Sequence, residues 1–444
     1  MFVILIVGGI NPANAGVPTI SGFAPPSGNP GTLVTIRGSG FGATSDQNVV
    51  RFGVAIAPVV VSSDSLIVVA APTGATCGPI TVSAGGLIAS SRVPFSLTFP
   101  STNLLVNSSF APHVDYTSIS SGPYRVAVGD IDGDGKSDIV VANYQGSSFA
   151  VLRNTTVADT LTAYSFSAEL DLAAEFLPVS LGLADINGDG KLDVIVGCQF
   201  SPDVLVFINQ SVPGLMSFAP PKKVSFDNGF KSIACGDIDG DGRIDFAVAN
   251  RETGVVWIAL NSTTGGLFST SLPVRIATID SITALSCADI DGDGKVDLAL
   301  VSRPSNLVSV FRNLSAPGVA AFAPRSTIAV RSSPVDVLLA DLDVDGQPDI
   351  AVAHFDSGQL TLIHNVSTPG SCLWDAPQSI PTLANPTHIA VGDVTGDGKP
   401  ELSVTSGTRN AVAVHQNVGT PGIVSFNPYI GFGTASISLG AAVG

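Results

Sequence analysis

Across residues 99–444, short apolar runs alternate with Gly- and Asp-rich breaks in one recurring order. In the third copy, residues 232–236 run into an acidic stretch, residues 246–250 leave it and residues 255–261 follow. Runs of this length, rich in Val, Ile and Ala and bounded by turn residues, predict strands, and helical periodicity is absent. A fourth strand is predicted around Phe268, with counterparts at Phe110, Phe166, Phe218, Phe322 and Phe426. Four strands per repeat make one propeller blade, buried on both faces, so its strands read as continuous apolar runs such as residues 139–142 and 350–353. From Val17 to about Thr98 the pattern changes to alternating apolar strands with frequent turn signals, which predicts a small β-sandwich. The expected fold is therefore all-β.

The breaks between the first two strands of each repeat carry the chemistry. In the first, Asp130, Asp132 and Asp134 occupy alternate positions, Gly133 and Gly135 let the backbone curl, and Asp138 closes the loop with the Lys136 carbonyl free to point inward. Hard oxygen donors on a glycine-bent loop suit Ca2+, which accepts six to eight oxygens in a tolerant geometry. Without a cation, unit charges about 4 Å apart repel by roughly 4 kcal/mol at an effective dielectric near 20. The loop recurs as Asp185, Asn187, Asp189, Lys191 and Asp193; Asp237, Asp239, Asp241, Arg243 and Asp245; and Asp289, Asp291, Asp293, Lys295 and Asp297. Two weaker copies hold Asp341, Asp343, Asp345, Gln347 and Asp349, then Asp393, Thr395, Asp397, Lys399 and Glu401. In each, the Lys, Arg or Gln position would contribute only its backbone carbonyl. First aspartates are 55 residues apart once and 52 apart four times, a period that marks a stacked or radial array. About five to six Ca2+ sites are expected.

Composition alters this picture little. The formal charge of −16 is largely ligand, because the loops carry four, three, four, four, four and three carboxylates, 22 of the 36 present. Six divalent cations would bring the balance to about −4. No basic patch supports nucleic-acid binding, and no apolar run is long enough for a membrane-spanning helix. Cys77, Cys198, Cys235, Cys287 and Cys372 are odd in number and lack metal spacing; buried thiols are favoured over a Cys235–Cys287 bridge. Residues 1–15, apolar with Ala13-Asn14-Ala15 at the end, predict a clipped secretion signal, with a disordered or edge-strand terminus as the alternative.

The run Pro18-Thr-Ile, Gly31-Thr-Leu-Val-Thr-Ile-Arg-Gly38, Gly40-Phe-Gly42, followed by Val68-Val-Ala-Ala-Pro72 and Pro79-Ile-Thr-Val82, resembles an IPT/TIG immunoglobulin-like domain over residues 16–98. That resemblance implies a spacer or presenting module without catalytic residues. The acidic repeats over residues 99–444 resemble the VCBS/FG-GAP repeats of integrin α-chain propellers and of many secreted bacterial proteins. The likeness implies metal loops on one rim and ligands on the opposite face. It also implies a weaker sixth site, where Thr395 removes a carboxylate and Glu401 lengthens the closing ligand, and strain in the fifth, where Val344 replaces a glycine.

Counting residues 436–444 as a loop-entering strand and 110–112 as a fourth strand predicts a seven-bladed propeller with an incomplete last blade, and hence a piece of a longer chain. A closed six-bladed ring is the alternative. Asn107, Asn154, Asn209, Asn261, Asn313 and Asn365 begin N-x-S/T triplets, five of them in the same register. The register favours a turn-forming role over a glycan acceptor. The functional expectation is a secreted or cell-surface, calcium-stabilised binding or adhesion platform for an extracellular protein or carbohydrate. A lectin, or a propeller-based polysaccharide-active enzyme, is the alternative. His113, His354, His364, His388 and His415 are scattered and read as solvated or core residues, and self-complete loops leave no open position for a catalytic metal.

Overall fold

A computed structural model describes residues 17–443, apart from residue 77 and stretches 100–103, 117–119, 157–160, 163, 168–169, 227–229, 279–280 and 435–439. The expected signal segment and Cys77 lie outside the described residues. The fold is all-β, apart from a 3-10 turn at Ser45–Gln47. In the N-terminal sandwich, one sheet orders Thr19–Ala24, Leu33–Ser39, Leu66–Ala70 and Val59–Ser62. The facing sheet orders Ala55–Ala57, Asn48–Phe52, Pro79–Ala84 and Leu87–Pro94. Alternation sends Val34, Ile36, Ile67 and Val69 from the first sheet and Val50, Phe52, Ile80 and Val82 from the second into one core.

Six antiparallel four-stranded sheets follow, each wound in sequence order like a propeller blade. The first is Pro123–Gly129, Asp138–Asn143, Ser148–Leu152 and Leu170–Ala173; the fifth is Pro334–Ala340, Asp349–His354, Gln359–Ile363 and Gln378–Pro381. First strands lie against first strands of the neighbouring sheets, so they are innermost. Second strands such as Asp193–Cys198 and Asp349–His354 are buried along their whole length, because both faces are covered. Ile195, Val204 and Val206 of the second sheet pack on Phe246 and Val248 of the third, and like clusters join each other pair of successive sheets from the first to the sixth.

The outer strand lies further along the chain than expected. Phe166, Phe218, Phe322 and Phe426 form isolated bridges to Asn154, Asn209, Asn313 and Asn417 inside a turn, and the outer strand begins four or more residues later, as at Ile430–Gly433. Its residues alternate with solvent, as in the exposed-rich Ser326–Ala329 and Gln378–Pro381, so the larger apolar signal of the turn phenylalanine masks it. Phe110 is likewise in no strand; its ring packs edge-on at 4.7 Å against Phe432 of the sixth sheet. The seventh loop-entering strand, expected over 436–444, falls partly outside the described residues. Gly440 lies against the backbone of Tyr124 and Arg125, and Val443 against Gly392, so the described residues 440–443 run between the first and sixth sheets and are in no strand.

The sandwich is not a detached spacer. It is seated across the rim that carries the acidic loops and touches all six. Ile56 lies over Gly133, Gly86 against Gly188, Arg92 against Gly292, and Val93 against Gly346. Backbone bonds run from Ile88 N–H to Gly242 O (2.6 Å) and from Phe99 N–H to Gly396 O (2.9 Å). A Cβ at residue 188 would stand 2.5 Å from the Gly86 carbonyl oxygen, so glycine there is a condition of the docking.

Candidate metal centres

Each loop is built by hydrogen bonds donated from its own backbone N–H groups to its own carboxylates. Gly133 N–H and Gly135 N–H donate to the two oxygens of Asp130 (2.8 and 3.0 Å), folding the chain round that side chain. Gly133 and Gly135 have φ of 77° and 86°, a region open to glycine at little cost. In the fifth loop Val344 takes the same conformation, φ 63°, which is strained for a β-branched residue. Third-position carboxylates accept from the backbone two residues on, as Asp134 from Lys136 N–H (3.1 Å) and Asp345 from Gln347 N–H (2.8 Å).

The closing carboxylate is the most enclosed part. Asp138, Asp193, Asp245, Asp297, Asp349 and Glu401 are all fully buried. Asp138 accepts from Ile131 N–H (2.8 Å) and, across to the third strand, from Asn154 N–H (2.7 Å). The other five repeat this pair of bonds. Burial, reinforced by neighbouring carboxylates and offset by these donors, pushes Asp193, Asp245 and Asp349 up to about 8, and Asp138, Asp297 and Glu401 to about 7.

Among the sequence-predicted ligands, the carboxylate oxygens of Asp130, Asp132 and Asp138 come within 4.8 Å of one another, as do those of Asp237, Asp239 and Asp245, and of Asp289, Asp291 and Asp297. Asp341, Asp343 and Asp345 converge likewise. In the second loop Asn187 turns its amide to Asp189 (3.1 Å), and in the sixth the Thr395 hydroxyl stands 3.3 Å from both Asp393 and Glu401. At the seventh position Lys136, Lys295 and Lys399 leave the cage for carbonyls of Thr156, Ser315 and Gly419 (2.7–2.8 Å), whereas Arg243 reaches Thr263 O (3.0 Å) and also pairs with the loop residue Asp241 at Oδ2 (2.5 Å). The residues fit a hard divalent cation: the buried closing carboxylates have raised proton affinity, and Asp289 Oδ1 is buried without a hydrogen-bond partner.

The register asparagines are staples between blades. Asn209, Asn261, Asn313 and Asn365 are buried and donate Nδ2–H to a carbonyl of their own sheet and to one in the preceding loop, as Asn313 does to Val296 (2.8 Å) and Ile238 (2.7 Å). A second inter-blade bond runs from a turn glycine to the outer oxygen of a second-position aspartate: Gly214 to Asp132, Gly318 to Asp239, Gly370 to Asp291 and Gly422 to Asp343 (2.6–2.9 Å). The loops therefore join neighbouring blades as well as closing their own. Cys198 is a buried free thiol, and Cys235, Cys287 and Cys372 are free thiols that are half-buried rather than fully enclosed.

Two sets of residues escaped the sequence reading. In the first, fourth and fifth repeats the residue before the register asparagine reaches the loop: Arg153 pairs with Asp132 and with Asp134 (2.8 Å), Arg312 lies 4.0 Å from Asp291, and His364 Nε2 lies 3.2 Å from Asp343. In the second and third repeats that position is Ile208 and Leu260, and in the sixth Gln416. Reading one residue upstream of the asparagine register would have found them, and shows that His364 is neither solvated nor simply core. Arg51 of the sandwich is the second case. Its buried guanidinium donates to Val54 O (3.1 Å) and Gly190 O (2.5 Å), facing Asp130, Asp185, Asp189 and Asp193.

The FG-GAP-like repeat model matches residues 130–196, 185–248, 237–300, 289–352 and 341–404, and the IPT/TIG domain model matches 18–99. Integrin alpha pat-2 of Caenorhabditis briggsae is 26% identical over 265 residues, and that of Caenorhabditis elegans 24%; each alignment covers 50% of this chain and 21% of the relative. The chain thus spans about a fifth of the length of these curated relatives. Among solved structures, a putative 6-phosphogluconolactonase from Bacteroides fragilis is similar with TM-score 0.52 at 14% identity, covering 90% of this chain and 98% of that one. An Agrocybe aegerita lectin recognising non-reducing terminal N-acetylglucosamine is similar with TM-score 0.50 at 17% identity, covering 87% and 90%. Identities this low carry the fold alone. Because the repeat model spans more than half of the chain, the chain belongs to the FG-GAP-like repeat family and bears an IPT/TIG domain at its N-terminal side.

Proposed function

We propose that this chain is a secreted or cell-surface binding platform in which Ca2+ at the acidic loops is structural. The observation that carries the reading is the set of fully buried closing carboxylates, each beside further carboxylates whose mutual repulsion a divalent cation would relieve. Ligands to each ion would be the carboxylates or Asn and Thr oxygens at the first, second, third and closing positions, with the carbonyl at the seventh. The ion would draw charge-repelling side chains together and thereby tie each blade to the next. Because the sandwich covers the loop rim, the docking surface for an extracellular protein or carbohydrate is placed on the opposite face. The function is binding rather than catalysis, since the loops are occupied in holding themselves and their neighbours. The tail at 440–443 is assigned to the seventh blade position. Calcium titration by calorimetry, paired with melting in calcium and in chelator, tests this: several sites and a large rise in melting temperature are expected, and no binding at millimolar calcium overturns it.

Carbohydrate as the ligand class is supported by aromatic pairs on that opposite face. Phe176 and Phe200 are stacked at 6.3 Å and both exposed, and Tyr124 and Tyr144 are stacked at 5.4 Å one blade earlier. Flat apolar rings in such a place suit the apolar face of a sugar. Glycan-array binding lost on substituting Phe176 and Phe200 by alanine would establish the lectin reading, and unchanged binding would remove it.

A further inference from the structure

The fifth loop differs chemically from the others. His364 leaves the third strand with its side chain 10% exposed, and its Nε2 is buried without a hydrogen-bond partner. That nitrogen is aimed into the carboxylates: it lies 3.2 Å from Asp343 Oδ2 and 3.7 Å from Asp345 Oδ2, and Asp343, Asp349 and His364 offer donor atoms all within 4.8 Å. The other ring nitrogen, Nδ1, stands 2.8 Å from Asp375 Oδ2. An imidazole whose Nδ1–H donates to a carboxylate is held in the tautomer that presents a lone pair at Nε2, the arrangement common to metal-bound histidines. A lone pair facing carboxylate oxygens is repulsive unless a cation or a proton stands between them.

We propose that the fifth loop is a mixed imidazole–carboxylate site for a borderline divalent transition cation such as Zn2+, held by His364, Asp343 and Asp349 with Asp375 orienting the imidazole. It rests on the reading that the loops hold divalent cations, and narrows the ion at one of them. Imidazole favours Zn2+ and its neighbours in the first transition row, whereas the all-oxygen loops favour Ca2+. Leu260 and Ile208, at the equivalent position of the third and second repeats, give those loops no nitrogen donor.

The test uses the full chain in millimolar Ca2+, titrated with Zn2+ by calorimetry and with Co2+ by visible absorption. Wild type is expected to take up about one equivalent that Ca2+ does not displace, with the d–d bands of a nitrogen-ligated Co2+. His364→Leu, which installs the residue of the third repeat, and His364→Gln should both abolish it while Ca2+ uptake at the other loops persists. Asp375→Asn should weaken it 10- to 100-fold. Zn2+ uptake absent from wild type, or unchanged in both His364 variants, overturns the proposal and leaves the imidazole as an ion-pair partner of Asp343. Calcium uptake without Zn2+ uptake sinks this inference alone, whereas loss of the calcium signal in wild type sinks the structural-calcium reading.

Discussion

Asn365 of the fifth sheet donates its side-chain amide to the carbonyl of Ile290 in the fourth, 2.8 Å away, and to that of Pro348 in its own sheet, 2.9 Å away. One buried amide thus satisfies two backbone acceptors that belong to different blades. Asn365→Ala should lower stability by about 2–3 kcal/mol, the cost of leaving buried carbonyls unpaired, as read by urea unfolding. Asn365→Asp, which removes both donors and faces a carboxylate to the carbonyls, should cost more. In a secretory host, mass spectrometry should find glycan at the exposed Asn107 and none at the buried Asn209, Asn261, Asn313 or Asn365.

Removing the cation should loosen ring and sandwich together, because every loop touches the sandwich. A ligand at 100 times its Kd adds about 2.7 kcal/mol per site. Chelation should therefore lower the melting temperature strongly, and limited proteolysis in chelator should cut the segment joining the two domains faster than in calcium.

Arg51→Met keeps the apolar stem and removes the bonds to Val54 and Gly190. A loss of about 1.5–3 kcal/mol is expected, the range for hydrogen bonds to a charged group, with a larger loss in chelator than in calcium. Calorimetric melting of both proteins in both conditions reads the difference; equal losses would mean that the guanidinium does not help neutralise the loops.

His415 is buried with Nε2 3.0 Å from Thr382 Oγ1, and burial lowers its pKa to about 4. The unfolded chain takes up this proton near pH 6.5, the folded chain only near 4. The contribution is thus whole above about pH 6.5 and is lost as the pH falls toward 4, by about 2–3 kcal/mol at pH 4.5. His415→Ile, which places the residue found at position 363 of the preceding blade, should remove that part of the acid sensitivity. Urea midpoints at pH 7 and 4.5 measure it.

Val344→Gly should raise stability by up to about 1 kcal/mol, since relief of a left-handed β-branched residue, about 1–2 kcal/mol, exceeds the roughly 0.4–1 kcal/mol that glycine's freedom in the unfolded chain costs. Thermal melting in calcium is the readout, and a fall would show that Val344 packs usefully on the rim.

The loops were legible because their chemistry is local: Asp130 to Asp138 holds its carboxylates and glycines within nine residues. The second strands were legible because full burial writes an uninterrupted apolar run. The outer strands were not, since a half-exposed edge such as Gln378–Pro381 carries less apolar signal than the turn residue Trp374 before it. Arg51 and His364 reach the loops through tertiary placement, from another domain and from a strand end 15 residues beyond Asp349. No spacing within the loop motif records either approach, and the seating of the sandwich depends on surface shape that neither domain's periodicity contains.

Repeat arrays ordinarily gain or lose whole units, because each unit meets only neighbours like itself. Here one asymmetric body meets six units with six different residues, Ile56 at the first and Phe99 at the last. Inserting or deleting a single 52-residue copy would bring every later copy under the wrong part of that body. The repeats share one motif but not one place, because each of the six loops meets a different part of the sandwich.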